Sequence, residues 1–500
     1  MKPRETVAPS AMSPFLARVA EHSGQAVMSC YQCGNCTAGC PMAHTVGLGP
    51  RQVIRAVQLG LREAALGNEL IWLCLGCQTC TVRCPREIDV AAVMETLRLL
   101  AIGEGVKPAI RDVAILHRLL LESVKRTGRV YELAVGGLYN LLGGRPLTNA
   151  DLLPRLLARG KLGLFPARNK GARKVSAVYG RVAQIEARPV TEPIGGKAAS
   201  RPGPRAPAPI TRDAAVRSYA YYPGCSLGAS AREYDVSTRL VFARLGVELR
   251  ELEGWNCCGA SSAHTTSKLL GHALPARNLQ LAEEMGLPLT TPCPACFSRL
   301  QSTRHALRNS QLSGQVSEAL GREFRNQVPV VPILGAIRAE EVAAAVRRPL
   351  AGLKVACYYG CLFVRPREVA QFDDEENPQT MDWLLAAAGA ETIDWAFKTE
   401  CCGASLRVPR PALAAQLTGR VLAAARRLGA DCVAVACPMC QANLDQRQEG
   451  MAEALSERGA MPVLYFTQLL ALALGLPPAE LMFEKNLTDP LPMLRAKGFA

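Results

Sequence analysis

The sequence predicts a multidomain chain: an all-α N-terminal domain followed by an α/β domain that is present twice. The prediction rests on two kinds of cysteine pattern and on the apolar periodicity around them. The chain has 500 residues and 20 cysteines. In the first pattern, Cys30-x2-Cys33-x2-Cys36-x3-Cys40-Pro41 recurs as Cys74-x2-Cys77-x2-Cys80-x3-Cys84-Pro85. In the second, Cys225, Cys257-Cys258-Gly259 and Cys293-Pro294-Ala295-Cys296 recur as Cys361, Cys401-Cys402-Gly403 and Cys437-Pro438-Met439-Cys440. The cysteines of the last two motifs repeat at an offset of 144 residues, which marks an internal duplication.

The first pattern has the spacing of bacterial two-cluster ferredoxins. Three thiolates on a tight loop can hold three irons of one 4Fe-4S cubane cluster, while the fourth, displaced and followed by Pro, reaches the other cluster. Cys30, Cys33, Cys36 and Cys84 are therefore assigned to one cubane, and Cys74, Cys77, Cys80 and Cys40 to the second. Between the runs, residues 50–66 put Val53, Ile54, Val57 and Leu61 on one helical face, with Arg51, Arg55, Arg62 and Glu63 turned away. Residues 90–102 read as a further apolar helix, and 107–165 continue as amphipathic helices that end near Gly160-Lys161-Leu162-Gly163. Residues 1–165 are thus expected to form an α-helical ferredoxin-like domain. From Arg155 to Arg217 there are fourteen Lys or Arg against three acids, among many Pro, Gly and Ala, so 166–215 is expected to be a basic linker that cluster binding does not need.

Each duplicated unit, 216–345 and 346–500, alternates strand and helix. Apolar runs at 218–222 and 353–359 end at Gly-Cys, and helical stretches follow at 231–245 and 378–388. Later runs, 287–291 and 432–436, end at the Cys-Pro-x-Cys loops, which open helices. This alternation implies α/β units whose ligand sites lie beyond the carboxyl ends of the strands, so each set of five cysteines gathers at one edge. Helix N-termini behind Cys293 and Cys437 favour thiolate over thiol. Cys357 and Cys432 lie outside every set and read as small buried hydrophobes on strands. His264, six residues beyond Cys258, is a candidate proton donor, and Arg407, five beyond Cys402, a candidate for an anionic substrate group.

Composition narrows the function. At about 150 residues per domain the length suggests about three units. The N-terminus, Met-Lys-Pro-Arg-Glu-Thr-Val, lacks an apolar leader, so the expected location is cytoplasmic, where cysteines serve metal rather than disulfides. The longest apolar run, 462–476, contains Thr467 and Gln468, falls short of the ~20 residues a membrane span needs, and is expected to be a buried helix. The formal charge of +15 does not argue for nucleic acid: the excess is local, the basic residues lack interleaved aromatics, and bound clusters add negative charge. No Gly-x-Gly-x-x-Gly follows a strand, so the electron donor is expected to be another protein.

The two cysteine runs, read as Cys30-Tyr-Gln-Cys-Gly-Asn-Cys-Thr-Ala-Gly-Cys40-Pro41 and Cys74-Leu-Gly-Cys-Gln-Thr-Cys-Thr-Val-Arg-Cys84-Pro85, resemble the C-type subunit of heterodisulfide reductase. The duplicated CCG (cysteine-rich) unit, with Tyr359-Gly360-Cys361, Arg365-Pro366 and the ending at 465–476, resembles the B-type subunit of the same enzyme. The chain thus looks like a C-to-B fusion. The resemblance implies that each five-cysteine set, Cys225, Cys257, Cys258, Cys293 and Cys296 or Cys361, Cys401, Cys402, Cys437 and Cys440, binds a noncubane 4Fe-4S cluster. It also implies a flavoprotein donor like the enzyme's A-type subunit, working within a hetero-oligomeric complex, and a disulfide substrate. Two matched sites suit a substrate with two equivalent sulfurs. The competing reading is an electron-relay subunit such as those of glycolate, lactate or anaerobic glycerol-3-phosphate dehydrogenases; an assembly scaffold or sensor is a third, for which only the basic segment remains. A Cys-Pro-x-Cys motif alone would suggest thiol-disulfide exchange, but its double occurrence behind Cys-Cys-Gly argues against that.

Overall fold

The computed structural model describes residues 13–144, 149, 151–167, 169–188, 216–446, 448 and 460–500. They form two compact units, one of residues 13–74 with 78–110, the other of 75–77 and everything described from 111 onward.

The first unit is helical. Its main helices are Pro14–Ser23, Pro50–Gln58 and Val90–Gly103, with short helices Asn35–Ala38 and Thr79–Val82 inside the two cysteine runs. Val53, Ile54 and Val57 are buried as their spacing predicts. Leu61 is not. The helix stops at Gln58, the chain turns through Gly60 at φ +70°, and Leu61, no longer in register with Val57, stays half exposed. Asp89 caps the helix Val90–Gly103 by accepting from Ala92 N at 2.9 Å. From that helix the buried Arg98 donates to the carbonyls of Ile71 (2.5 Å) and Trp72 (3.1 Å), closing the short helix Leu70–Leu73 just before Cys74.

The second unit contains two four-stranded parallel sheets of the same design. Strands β1 (Ser218–Tyr221), β2 (Glu248–Glu251), β3 (Leu289–Thr291) and β4 (Val330–Pro332) lie in the order β2-β1-β3-β4. Strands β5 (Lys354–Tyr358), β6 (Glu391–Ile393), β7 (Cys432–Val435) and β8 (Val463–Tyr465) repeat it as β6-β5-β7-β8. All pairings are parallel. The α/β alternation read from the sequence is therefore present, and Cys357 and Cys432 are fully buried on β5 and β7. The apolar run 462–476 differs from expectation. It divides into β8 and the helix Phe466–Ala473, because Val463–Tyr465 finds an open edge on β7 and the Gln468 side chain accepts from Tyr465 N at 3.0 Å to start the helix.

The boundary expected at 165 lies at 110 instead. Helices Arg111–Thr127, Glu132–Leu142 and Leu152–Ala158 belong to the second unit, and the linker expected from 166 carries the helix Ala172–Glu186. Val175, Val178, Val182 and Ile185 bury its inner face against helices Arg111–Thr127, Lys268–Met285 and Ser310–Leu320. Arg181 closes the last of these by donating to Ala319 O (2.7 Å) and Leu320 O (3.0 Å). The basic composition concealed a four-residue apolar stripe spaced at helical intervals. The remainder, 189–215, lies outside the described residues. Val178→Ala and Val182→Ala are each expected to lower the stability of the full chain by about 1–3 kcal/mol, measured by chemical unfolding; a freely solvated tether would show no change.

Candidate metal centres

In the first unit the loop after Val27 wraps itself. Gln58 donates to Val27 O (3.1 Å) and Cys30 O (2.9 Å), and Gln32, at φ 65°, turns its amide toward Cys30 Sγ at 3.5 Å. Cys30, Cys33, Cys36 and Cys84 line one cavity together with Tyr31, Arg51 and Ile54. The distant fourth cysteine thus reaches the three of the first run. Burial pushes the Cys36 thiol up, a cost that a bound cation removes. In the second run, Cys74 follows the helix closed by Arg98, and Cys80 sits in the helix Thr79–Val82.

In the second unit, Cys225 follows β1 and Cys293 follows β3, so both emerge where the strand order reverses; Cys361 and Cys437 do the same after β5 and β7. Pro294 and Pro438 begin the helices Pro294–Ala306 and Pro438–Asp445, with Cys293 and Cys437 at the capping position. Cys437 Sγ accepts from Cys440 N at 3.4 Å. The Cys-Cys-Gly loop closes onto these helices, bringing Cys258 Sγ within 3.4 Å of Cys296 and Cys402 Sγ within 3.6 Å of Cys440. Backbone amides of Gly259 and Gly403 point at Cys257 and Cys401 Sγ, each at 3.4 Å.

The electrostatics follow from this crowding. Contacts with Cys225 and Cys258 push the Cys257 thiol up; contacts with Cys258 and Cys293 do the same to Cys296. Cys258, accepting from Cys257 and Cys296, is held well below the usual thiol range. In the second set Cys361 raises Cys401, Cys402 raises Cys440, and Cys402 is brought down to about 7 by Cys440. One thiolate forms at the expense of its neighbours. Five sulfurs so placed ionise together only when a polynuclear cation shares their charge, so the donor sets fit iron-sulfur clusters.

Several supporting residues escaped the sequence reading. Tyr222 donates to Asn256 O (2.7 Å) and Tyr358 to Glu400 O (2.5 Å), each fixing the residue before Cys-Cys; burial raises both phenols. Asn256 then donates to Cys257 O at 2.8 Å, while in the other copy Asn443 donates to Cys402 O at 2.5 Å. The signal was present: Tyr222-Pro-Gly-Cys225 and Tyr358-Tyr-Gly-Cys361 share a Tyr three residues before the cysteine. The helical segment also supports the first set, since Cys257 N donates to Gly128 O (2.9 Å) and the Arg129 guanidinium lies 3.5 Å from the centre of the Trp255 ring. His264 closes the short helix Ala260–His264 and its backbone is pressed against Gly271. Arg407 donates to Gln446 Oε1 at 2.9 Å.

The two halves meet reciprocally. Helix Gly224–Leu227, which carries Cys225, packs on Pro438–Asp445, while Pro294–Ala306 packs on Arg367–Ala370 beyond Cys361. Phe297 and Phe363 meet at 5.8 Å between ring centres. The Cys437 thiol, raised first by burial, is raised further by Cys293 of the other set.

Two predictions test these centres. A Cβ on Gly224 or Gly360, both at positive φ (77° and 69°), would stand 3.0 Å from Cys296 Sγ or 3.1 Å from Cys440 Sγ. Gly224→Ala and Gly360→Ala should therefore each empty one five-cysteine set, read as iron and sulfide content, beyond a backbone cost of about 1–2 kcal/mol. Cys84→Ser should damage the cluster of the first run more than that of the second, with Cys40→Ser giving the opposite pattern in electron paramagnetic resonance.

A 4Fe-4S dicluster domain matches residues 26–88, and a cysteine-rich domain matches twice, at 219–301 and 355–445. The chain is 34% identical over 278 residues to the 8-methylmenaquinol:fumarate reductase membrane anchor subunit of Wolinella succinogenes, covering 55% of this chain and 98% of that protein. It is 30% identical over 276 residues to the B-type subunit of the ferredoxin/F(420)H(2)-dependent CoB-CoM heterodisulfide reductase of Methanosarcina acetivorans, covering 53% and 92%. It is also 39% identical over 106 residues to the C-type subunit of the ferredoxin:CoB-CoM heterodisulfide reductase of Methanosarcina mazei, covering 21% and 65%. Among the described residues no helix is long and apolar enough to cross a membrane. With a dicluster domain like that of the C-type subunit joined in one polypeptide to a duplicated cysteine-rich domain like that of the B-type subunit, the chain belongs to the heterodisulfide reductase family.

Proposed function

We propose that the chain is the cytoplasmic iron-sulfur subunit of a heterodisulfide reductase-like complex, in which the two cubanes of the dicluster domain pass electrons to two noncubane clusters that cleave a disulfide into two thiols. The observation that carries this reading is the reciprocal apposition of two complete five-cysteine sets, with Cys293 of one close enough to raise the Cys437 thiol of the other. Five thiols per set exceed the four that a cubane uses, and the adjacent Cys257 and Cys258, like Cys401 and Cys402, suit an open cluster with bridging thiolates. Cys225, Cys257, Cys258, Cys293 and Cys296 would hold one cluster; Cys361, Cys401, Cys402, Cys437 and Cys440 the other. Each would supply one electron and an iron able to take one substrate sulfur. The chain's own part is to hold the two sets facing each other, to bury them, and to feed them from Cys30, Cys33, Cys36 and Cys84 and from Cys74, Cys77, Cys80 and Cys40. A flavoprotein like the A-type subunit is the donor this scheme calls for.

A relay reading has its own support, because one relative, the fumarate reductase membrane anchor, carries a name without a disulfide. Reduction of disulfides by the anaerobically purified chain with an artificial one-electron donor separates the two. Cys258→Ala and Cys402→Ala should each lower that activity at least about 100-fold, in the range of losing a whole catalytic group, with the cubane signals intact. Wild-type chain that takes up electrons and reduces no disulfide would favour the relay.

A further inference from the structure

The duplication supplies two sets of the same five ligands, but the charges around them are not duplicated. We propose that Arg129 and Arg299 make the first set, Cys225, Cys257, Cys258, Cys293 and Cys296, hold an added electron more tightly than the second, so that electrons entering the duplicated domain settle there. The inference rests on the reading of both sets as cluster sites and is independent of the disulfide.

Arg129 comes from the helical segment rather than from either cysteine-rich half. The backbone beside it is fixed to the first set, because Cys257 N donates to Gly128 O at 2.9 Å. Its guanidinium lies 3.5 Å from the centre of the Trp255 ring, two residues before Cys257, and that ring meets Tyr222 edge-on at 5.4 Å. Among the described residues, Arg129 Nε is buried without a hydrogen-bond partner. Glu251, the acid that acts on this guanidinium, is bonded elsewhere: it accepts from Trp255 Nε1 at 3.0 Å and from Arg239 at 2.6 Å. Burial works against the charge of Arg129, and Cys225 is the first group that favours it. An aromatic face on one side and a thiol of the first set on the other are what accommodate the cation.

Arg299 stands on the helix Pro294–Ala306, one turn after Cys296. Cys258, held low first by Cys257 and Cys296, is lowered further by the Arg299 charge. At the offset of 144 residues that relates the two Cys-Pro-x-Cys helices, the position of Arg299 is taken by Asn443, and that of Asn256, next to the Cys-Cys pair, by Glu400. Asn443 is neutral and donates to Cys402 O at 2.5 Å. At matched positions the second half has thus exchanged a cation for an amide and an amide for an acid. Cations of the second half near Cys361 carry acids of their own. Lys398, whose carbonyl accepts from Gly360 N at 3.1 Å, has its Nζ 3.1 Å from Asp382 Oδ1, and Arg365 lies 3.1 Å from Glu376 Oε1. Arg407 is turned to Gln446 Oε1 at 2.9 Å.

Reduction of a set adds one electron from a one-electron donor and makes or breaks no bond in the protein. A fixed cation at short range stabilises the added negative charge, the more so where protein has displaced water. Arginine keeps its charge throughout, because it does not deprotonate at any ordinary pH. The same step in the second set meets Asn443 and Glu400 instead. Two sets built from the same five thiols therefore differ in electron affinity through residues that are not ligands.

The test is a potentiometric titration of the full-length anaerobic holoprotein followed by electron paramagnetic resonance, with the signal of each set assigned by its loss in Cys258→Ala or Cys402→Ala. The first set is expected to be reduced at the higher potential. Arg129→Met and Arg299→Asn should each weaken its hold on the electron about tenfold, or about 59 mV for one electron, with iron content, the second set and the cubanes unchanged. Arg129→Lys keeps the charge and should stay closer to wild type than Arg129→Met, a difference that a merely structural role would not place in the potential. Arg299→Asn introduces the residue that the second half already has, so it decides the matter if Arg129→Met loses iron. A first set whose potential is the same in wild type, Arg129→Met and Arg299→Asn, or a second set reduced first in wild type, overturns the inference. The expected order of potentials in a protein that reduces no disulfide supports the inference and overturns the disulfide reading alone, and a wild-type first set without iron overturns both.

Discussion

Five thiols packed against one another in a buried crevice cannot all be ionised without a cation among them, and much of the second unit is arranged around that constraint. The sulfur separations of 3.4 Å between Cys258 and Cys296 and 3.6 Å between Cys402 and Cys440 are short enough that one thiolate holds its neighbours protonated. The same crowding becomes favourable once iron shares the charge. Strand ends bring Cys225 with Cys293, and Cys361 with Cys437, to one edge of each sheet. Glycine at 224 and 360 lets the backbone approach the Cys-Pro-x-Cys sulfurs at a distance where a side chain would collide.

The duplication then acquires a geometric meaning. Each half places the helix after its Cys-Pro-x-Cys motif against the segment following the first cysteine of the other half. This reciprocal contact is what a pseudo-twofold arrangement requires, and it brings two equivalent sites together at one seam. Tyr234 and Tyr465, one from each half, stack within that seam, and Ser237 and Thr467 hydroxyls meet there at 2.7 Å. Buried polar contacts of this kind fix the relation of the halves more narrowly than apolar packing alone.

The helical segment after residue 110 joins the two cysteine-rich halves rather than the dicluster unit. It supplies Gly128 and Arg129 at the first set, Asp112 as an ion-pair partner of Arg410 in the second half, and Lys161 to Glu233. In a chain that unites two sequences found as separate polypeptides among its relatives, this segment is structural support for the duplicated domain as well as a connection.

Sequence alone determined the cysteine sets, the duplication, the strand-helix alternation and the helical nature of the dicluster unit. These follow from spacing and periodicity, which are local properties of the chain. Strands expected at 218–222 and 432–436 appear at Ser218–Tyr221 and Cys432–Val435, because apolar residues of strand propensity end there at a turn. Tertiary structure decided what needs a partner from far along the chain. Leu61 left its apolar face because Gly60 ended the helix early, and 462–476 became strand and helix because β7 offered an edge. The stripe Val175, Val178, Val182 and Ile185 turned part of an apparent linker into a packed helix because distant helices complete its burial. The pairing of Lys161 with Glu233, and of Tyr234 with Tyr465, joins residues whose separation in sequence conceals them, since burial and stacking exist only once the chain has folded.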